Sequence, residues 1–77
     1  MFLTINETRP TFVAPATKEY TIVPVLGSGS ASLELKLHGS TNWGSLGDLT
    51  GEVKQITLSE GTKIKITASG GAFAEIG

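Results

Sequence analysis

His38 is the only imidazole of the chain, and Ser40 and Thr41 follow it closely. A hydroxyl nucleophile needs such an imidazole within hydrogen-bond reach and a carboxylate behind it. The spacing here assembles no such set, and His38 falls on the polar side of its segment, where a histidine is solvated. The carboxylates Glu7, Glu19, Glu34, Asp48, Glu52, Glu60 and Glu75 come one at a time. Glycoside hydrolysis needs two of them facing each other ~5–10 Å apart, and nothing in the order of residues predicts that pair. Asn42, Asp48 and Glu52 bracket a glycine-rich loop and carry oxygen ligands, but the spaced acidic ladder of a calcium loop is absent. Turn chemistry accounts for them, since Asn and Asp bond their own backbone. Gly27-Ser28-Gly29-Ser30 precedes a strand pattern, whereas a phosphate cradle needs a helix N-terminus after it. The chemistry-bearing residues therefore predict no enzyme, no cofactor and no metal.

The elements that position these residues read as strands. Over residues 31 to 38, Ala31, Leu33, Leu35 and Leu37 alternate with Ser32, Glu34, Lys36 and His38, the period of a half-buried strand. Glu19 to Leu26 is rich in β-branched and aromatic residues, and Pro24 within it predicts an edge strand or a bulge. Gly27 to Ser30 reads as a hairpin loop. Trp43, Leu46 and Leu49 are spaced by three, but Gly44, Gly47 and Gly51 argue for a short irregular strand over a helix. Glu52 to Leu58 and Thr62 to Ala68 predict a hairpin through Ser59-Glu60-Gly61, with a bulge near Lys54-Gln55 because Val53 is out of phase. After Ser69-Gly70-Gly71, Ala72 to Ile76 forms a last strand with alanines on one face and Phe73 on the other.

The expected fold class is all-β: a small antiparallel β-sandwich or barrel of six to seven short strands, over residues 19–77. Residues 1–18, interrupted by Pro10 and Pro15, read either as an extended N-terminal arm or as a first edge strand. The sequon Asn6-Glu7-Thr8 has meaning only on a secretory route.

A chain of 77 residues with no cysteine and one histidine has neither disulfides nor a Cys/His zinc site to support a small core. Self-association or docking on a larger partner is the remaining support, and an apolar content of 39% in so short a chain points the same way. A net charge of −1 provides no field for nucleic acid or an anionic membrane. No apolar run approaches the ~20 residues of a membrane span, and the N-terminus lacks the pattern of a signal peptide. Beginning at Met1, the chain reads as a complete product made in a cytoplasm.

Trp43, beside a polar turn, reads as a cap on the core, as the anchor of a subunit contact or as a stacking platform for a sugar. Phe2, Phe12 and Val13 are the apolar residues of the N-terminal segment outside the cleanest core faces, and with Trp43 they are the candidate interface residues.

The run Leu35-Lys36-Leu37-His38-Gly39-Ser40-Thr41-Asn42-Trp43-Gly44-Ser45-Leu46, followed by Lys63-Ile64-Lys65-Ile66-Thr67-Ala68-Ser69-Gly70-Gly71, resembles small β-sandwich structural proteins of tailed bacteriophages. In those, a strand ends in a Gly-Ser turn, a Trp and a short aliphatic position follow, and a late strand feeds a glycine-rich turn. The resemblance covers roughly residues 31 to 77. It implies a virion protein, above all a capsid decoration or cement subunit stabilising the head. Its partners would be the major capsid protein or another virion protein, together with further copies of itself, commonly as a trimer. Two alternatives stay open: a tail, fibre or baseplate component, and a small carbohydrate- or receptor-binding module. The turn also resembles Asp-box and discoidin-like sugar loops, yet Thr41 and Asn42 stand where those carry Asp and an internal Gly.

Overall fold

Alternating segments become strands wherever one face can be buried. The computed structural model, which describes residues 2–77, has eight of them. They are β1 (Leu3–Ile5), β2 (Thr11–Val13), β3 (Lys18–Val25), β4 (Ser30–Lys36), β5 (Gly44–Asp48), β6 (Lys54–Leu58), β7 (Lys63–Ser69) and β8 (Phe73–Ile76). No helix occurs among the described residues. One sheet, A, has the order β1-β8-β3-β6 and the other, B, the order β2-β7-β4-β5, with every pairing antiparallel. The pairs β4–β5, β3–β6, β2–β7 and β1–β8 are those of one long ribbon folded at the β4–β5 turn. Rolling that ribbon up sets β8 beside β3 and β7 beside β4, which is the eight-stranded jelly roll. Between the sheets lie Ile5, Phe12, Tyr20, Ile22, Leu33, Ile64 and Ile76, all buried.

The expected all-β sandwich is present, with differences in detail. Residues 2–18 are not a free arm: β1 and β2 are edge strands, one in each sheet, and Ile5, Phe12 and Ala14 belong to the core. Met1, part of that expectation, lies outside the described residues. The prolines flank β2 and leave its ladder intact. Pro10 needs only its carbonyl, which accepts from the Ile66 amide at 2.8 Å, and the Ala14 amide donates to Thr62 at 2.9 Å before Pro15 ends the strand.

Pro24 sits in a central strand, yet the edge argument holds locally. Thr21 exchanges both of its backbone bonds with Gly77, so odd residues of β3 face β8 and even ones face β6. Pairing with β6 ends at Ile22↔Lys54, and Pro24, lacking a donor, lies just past it.

The expected hairpins at Gly27–Ser30 and at Ser59–Gly61 do not form. β3 and β6 lie in sheet A whereas β4 and β7 lie in sheet B, so both turns cross between sheets. Two amphipathic strands joined by a glycine turn can pair in one sheet or pass to opposite sheets; here they pass, and the apolar faces of both sheets are buried in the core between them. The true hairpin is β4–β5. Leu37, expected on the buried side, lies past the end of β4 and is exposed.

The bulge lies in β5, not near Lys54-Gln55. Leu33 pairs Gly47 and Glu34 pairs Ser45, leaving Leu46 as the extra residue. β6 keeps an unbroken register from Lys54 to Leu58, and Val53 is out of phase because Lys54 holds the inward position beside it. The Lys54 ammonium reaches across the open side of the sandwich and donates to the Leu46 carbonyl at 3.3 Å.

Among the described residues, the Thr62 hydroxyl is the buried side-chain polar atom without a hydrogen-bond partner. Thr62→Val replaces it with a methyl group of equal size and should raise stability by about 1 kcal/mol. A higher urea midpoint with unchanged slope checks this; a lower midpoint would contradict it.

Candidate interaction surfaces

The polar residues first considered for catalysis are dispersed or used by the backbone. The Ser40 hydroxyl accepts from the Asn42 amide at 3.1 Å, closing a local turn. His38 lies across the turn after β6, with its ring so close to Gly61 that a Cβ there would stand 2.6 Å from Nδ1. Asn42 precedes β5, Asp48 ends it and Glu52 follows in the next loop, and among the described residues no three His, Asp or Glu side chains are grouped so as to hold a metal ion. The Asn6 side chain accepts from the Thr8 and Arg9 amides, each at 2.8 Å, and so shapes the β1–β2 turn.

Of the candidate interface residues, Phe12 is corrected by the structure. It is 5% exposed and meets Tyr20 edge-on, with centroids 5.5 Å apart. Inward register opposite Ile64 places it in the core, a position hidden in the sequence because β2 is only three residues long. Phe2 and Val13 are exposed, at 61% and 49%. Trp43 is 37% exposed and lies outside the core, over the outer face of sheet B.

That outer face follows from register. Lys63 and Lys65 on β7 lie beside Lys36 and Glu34 on β4, with Val13 and Thr11 of β2 on one flank and Ser45 and Asp48 of β5 on the other. Trp43 precedes β5 and stands opposite Lys36. Its ring centroid is 5.6 Å from the Lys36 ammonium and 5.5 Å from that of Lys65. Attraction of both cations to the ring holds it down on the sheet, at about 0.5–1 kcal/mol per exposed contact. Farther along the face, Ser30, Ser32, Asp48, Thr67 and Ser69 line a shallow depression of about 400 Å³. The Ser30 and Ser69 hydroxyls are 3.0 Å apart there.

Sheet A presents a different outer face. In register across it, Thr4, Glu75 and Val23 form one row and Phe73 and Val25 the next, with Glu19, Thr21, Gln55 and Thr57 beyond. Phe2 stands at one margin; Val53, 58% exposed, stands at the other, just before β6. Central strand β8 inverts the usual order of sizes: Ala72 and Ala74 are buried while Phe73 points outward. The alternation of Ala72, Phe73 and Ala74 was visible in the sequence, but which face is the core depends on the sheet that β8 joins. The lysines around Trp43 carried no such signal, because β7 meets β4 only through the roll.

The two open sides of the sandwich also differ. On the side where β5 and β6 are the edges, Lys54 points inward, a device that discourages strand addition. On the side where β1 and β2 are the edges, a cleft of about 250 Å³ is lined by Leu3, Thr4, Ile5, Arg9, Thr11 and Phe12. Bonding of Pro10 and Ala14 to β7 turns the alternate residues Thr11 and Val13 toward the free edge. By the same parity Thr4 faces away from β8. Their backbone groups are available to a partner.

Compared with known proteins, the chain matches no family model, no curated protein and no solved structure.

Proposed function

We propose that this chain is a non-enzymatic structural protein of a tailed-phage virion, in the first place a capsid decoration subunit that stabilises the head. The observation that carries the reading is the unequal treatment of the two open sides. The β5–β6 side is defended by an inward lysine, whereas the β1–β2 side presents Leu3, Val13 and unpaired backbone groups, with Arg9 as the charged residue that lines its cleft. A protein living alone in solution protects its edges; one that docks leaves an edge open. Capsid and lectin domains are among the users of the jelly roll, and that analogy of fold favours the reading without deciding it. The partner is the major capsid protein or another virion protein, met after synthesis in the host cytoplasm.

Cosedimentation of the purified chain with heads of a mutant virus lacking its gene tests this. Wild type should pellet with the heads, and Leu3→Asp should bind at least about tenfold more weakly while keeping its β circular-dichroism signal. Undiminished binding of Leu3→Asp would remove the open β1–β2 side from the contact; absence of wild-type binding, to heads and to tails alike, would remove the virion role. Truncation of residues 1–15 is unsuitable, because it deletes Ile5, Phe12 and Ala14 from the core.

A second reading, a carbohydrate- or receptor-binding module, has one observation in its favour: an exposed Trp43 on the same face as the hydroxyl-lined depression. Glycan binding that is lost in a folded Trp43→Ala variant would support it; silence of the wild type on a glycan array would end it.

A further inference from the structure

The two outer faces of the sandwich are complementary in charge and both carry apolar groups. On sheet A the charged residues at outward strand positions are Glu19 and Glu75, and none is basic. On sheet B, Lys36, Lys63 and Lys65 surround Trp43 and Val13, with Glu34 among them and Asp48 at the far edge. These three are half of the chain's six basic residues. An antiparallel sheet with one solvated face normally turns polar residues outward. Sheet A instead turns out half-buried Phe73 and Val23 and exposed Val25, with Phe2 and Val53 at the margins, around Glu75, while Glu19 lies farther along the face.

We infer that copies of this chain associate head to tail, the outer face of sheet A of one copy seated on the Trp43–lysine face of sheet B of the next. Apolar groups of sheet A meet Trp43, Val13 and the lysine stems, while Glu75 and Glu19 meet the ammonium groups. The symmetric alternatives are disfavoured by charge: A on A brings the glutamates together and B on B the lysines. The molecule's two longer extents are 35 and 25 Å, so full overlap of two faces would bury on the order of the 1,600 Å² of a standard interface. Because the two faces lie on opposite sides of the sandwich, each added copy leaves a free face of each kind. The result is an open stack, in place of the closed trimer implied by the phage resemblance. This inference does not depend on the virion reading, and either can fail alone.

Sedimentation velocity over about 1 µM to 1 mM tests it, a range suited to a polar interface of this size. The wild type should pass through a continuing series of oligomers with rising concentration, more weakly at high salt. Glu75→Lys and Lys65→Glu should each weaken association by at least about tenfold. Mixed in equal amounts they should associate again, since each reversed face then finds a reversed partner. Glu19→Lys gives a second probe of sheet A if Glu75→Lys loses its β circular-dichroism signal. A single closed trimer, a monomer throughout, variants that associate like wild type, or a mixture that stays monomeric would each overturn the inference.

Discussion

Tyr20→Ala is expected to lower the stability of the chain by about 4 kcal/mol, the middle of the range for removing a buried aromatic side chain. The ring is 1% exposed and packs edge-on against Phe12 at an interplanar angle of 72°. The Lys18 ammonium stands 4.9 Å from its centroid. The hydroxyl donates to the Ala16 carbonyl at 2.5 Å and accepts from the Ala16 amide at 3.2 Å, tying the chain that leads into β3 to the strand itself. Tyr20→Phe keeps the ring and loses only these bonds, so it should cost about 1–1.5 kcal/mol. For a domain of this length total stability is about 4–12 kcal/mol, so the alanine variant should be largely unfolded well below the wild-type midpoint. Thermal melts followed by circular dichroism measure both. Equal losses in the two variants would mean that the hydroxyl carries the whole effect and that the Phe12–Tyr20 packing is unimportant.

Gly29→Ala should cost about 3 kcal/mol, the upper end of ordinary overpacking. Gly29 precedes β4 where the β3–β4 crossing passes the β7–β8 crossing, next to the Ser30↔Ser69 pair. A Cβ on Gly29 would stand 2.0 Å from the Ser69 carbonyl oxygen, and one on Gly70 would stand 2.8 Å from the Gly29 Cα. Both obstacles are backbone, and the Gly29 amide is itself held by the Leu26 carbonyl at 2.9 Å. Relief therefore requires parting two crossings that close the same end of the sandwich. At roughly 5 °C per kcal/mol the melting temperature should fall by roughly 15 °C. Gly27→Ala is the control: φ is +57° there but no atom lies within 4 Å of the added carbon, so the loss should be about 1 kcal/mol. A Gly29→Ala variant no less stable than Gly27→Ala would show that the crossings separate easily.

The strands were legible where alternation was clean. β4 and β7 have Leu or Ile on one face and charged or hydroxyl residues on the other, and both faces lie where periodicity placed them. Pairing was not legible, because alternation identifies a buried face without naming the strand beside it. The segments now seen as β6 and β7 were expected to pair, yet they lie in separate sheets, β6 at an edge of one and β7 in the interior of the other. Lys54 misled the phase of β6: a lysine stem can occupy an inward edge position when its ammonium finds a carbonyl, and charge pattern alone does not reveal that. The surfaces were harder still. Trp43 was a candidate from its type and its turn, but Lys36 and Lys65 come to it from two strands far apart in sequence. Phe2 and Val13 are exposed as expected of contact residues, whereas Phe12, their neighbour in the same segment, is in the core.

The proposed virion role is tested most directly by protein composition and immunogold labelling of purified particles of the virus proposed to encode the chain. The chain should be present in particles freed of soluble protein, with label distributed over the heads. Label confined to the tail would transfer the role to a tail or fibre component. Recovery of the chain only in the soluble fraction of the lysate would contradict a structural role in the virion.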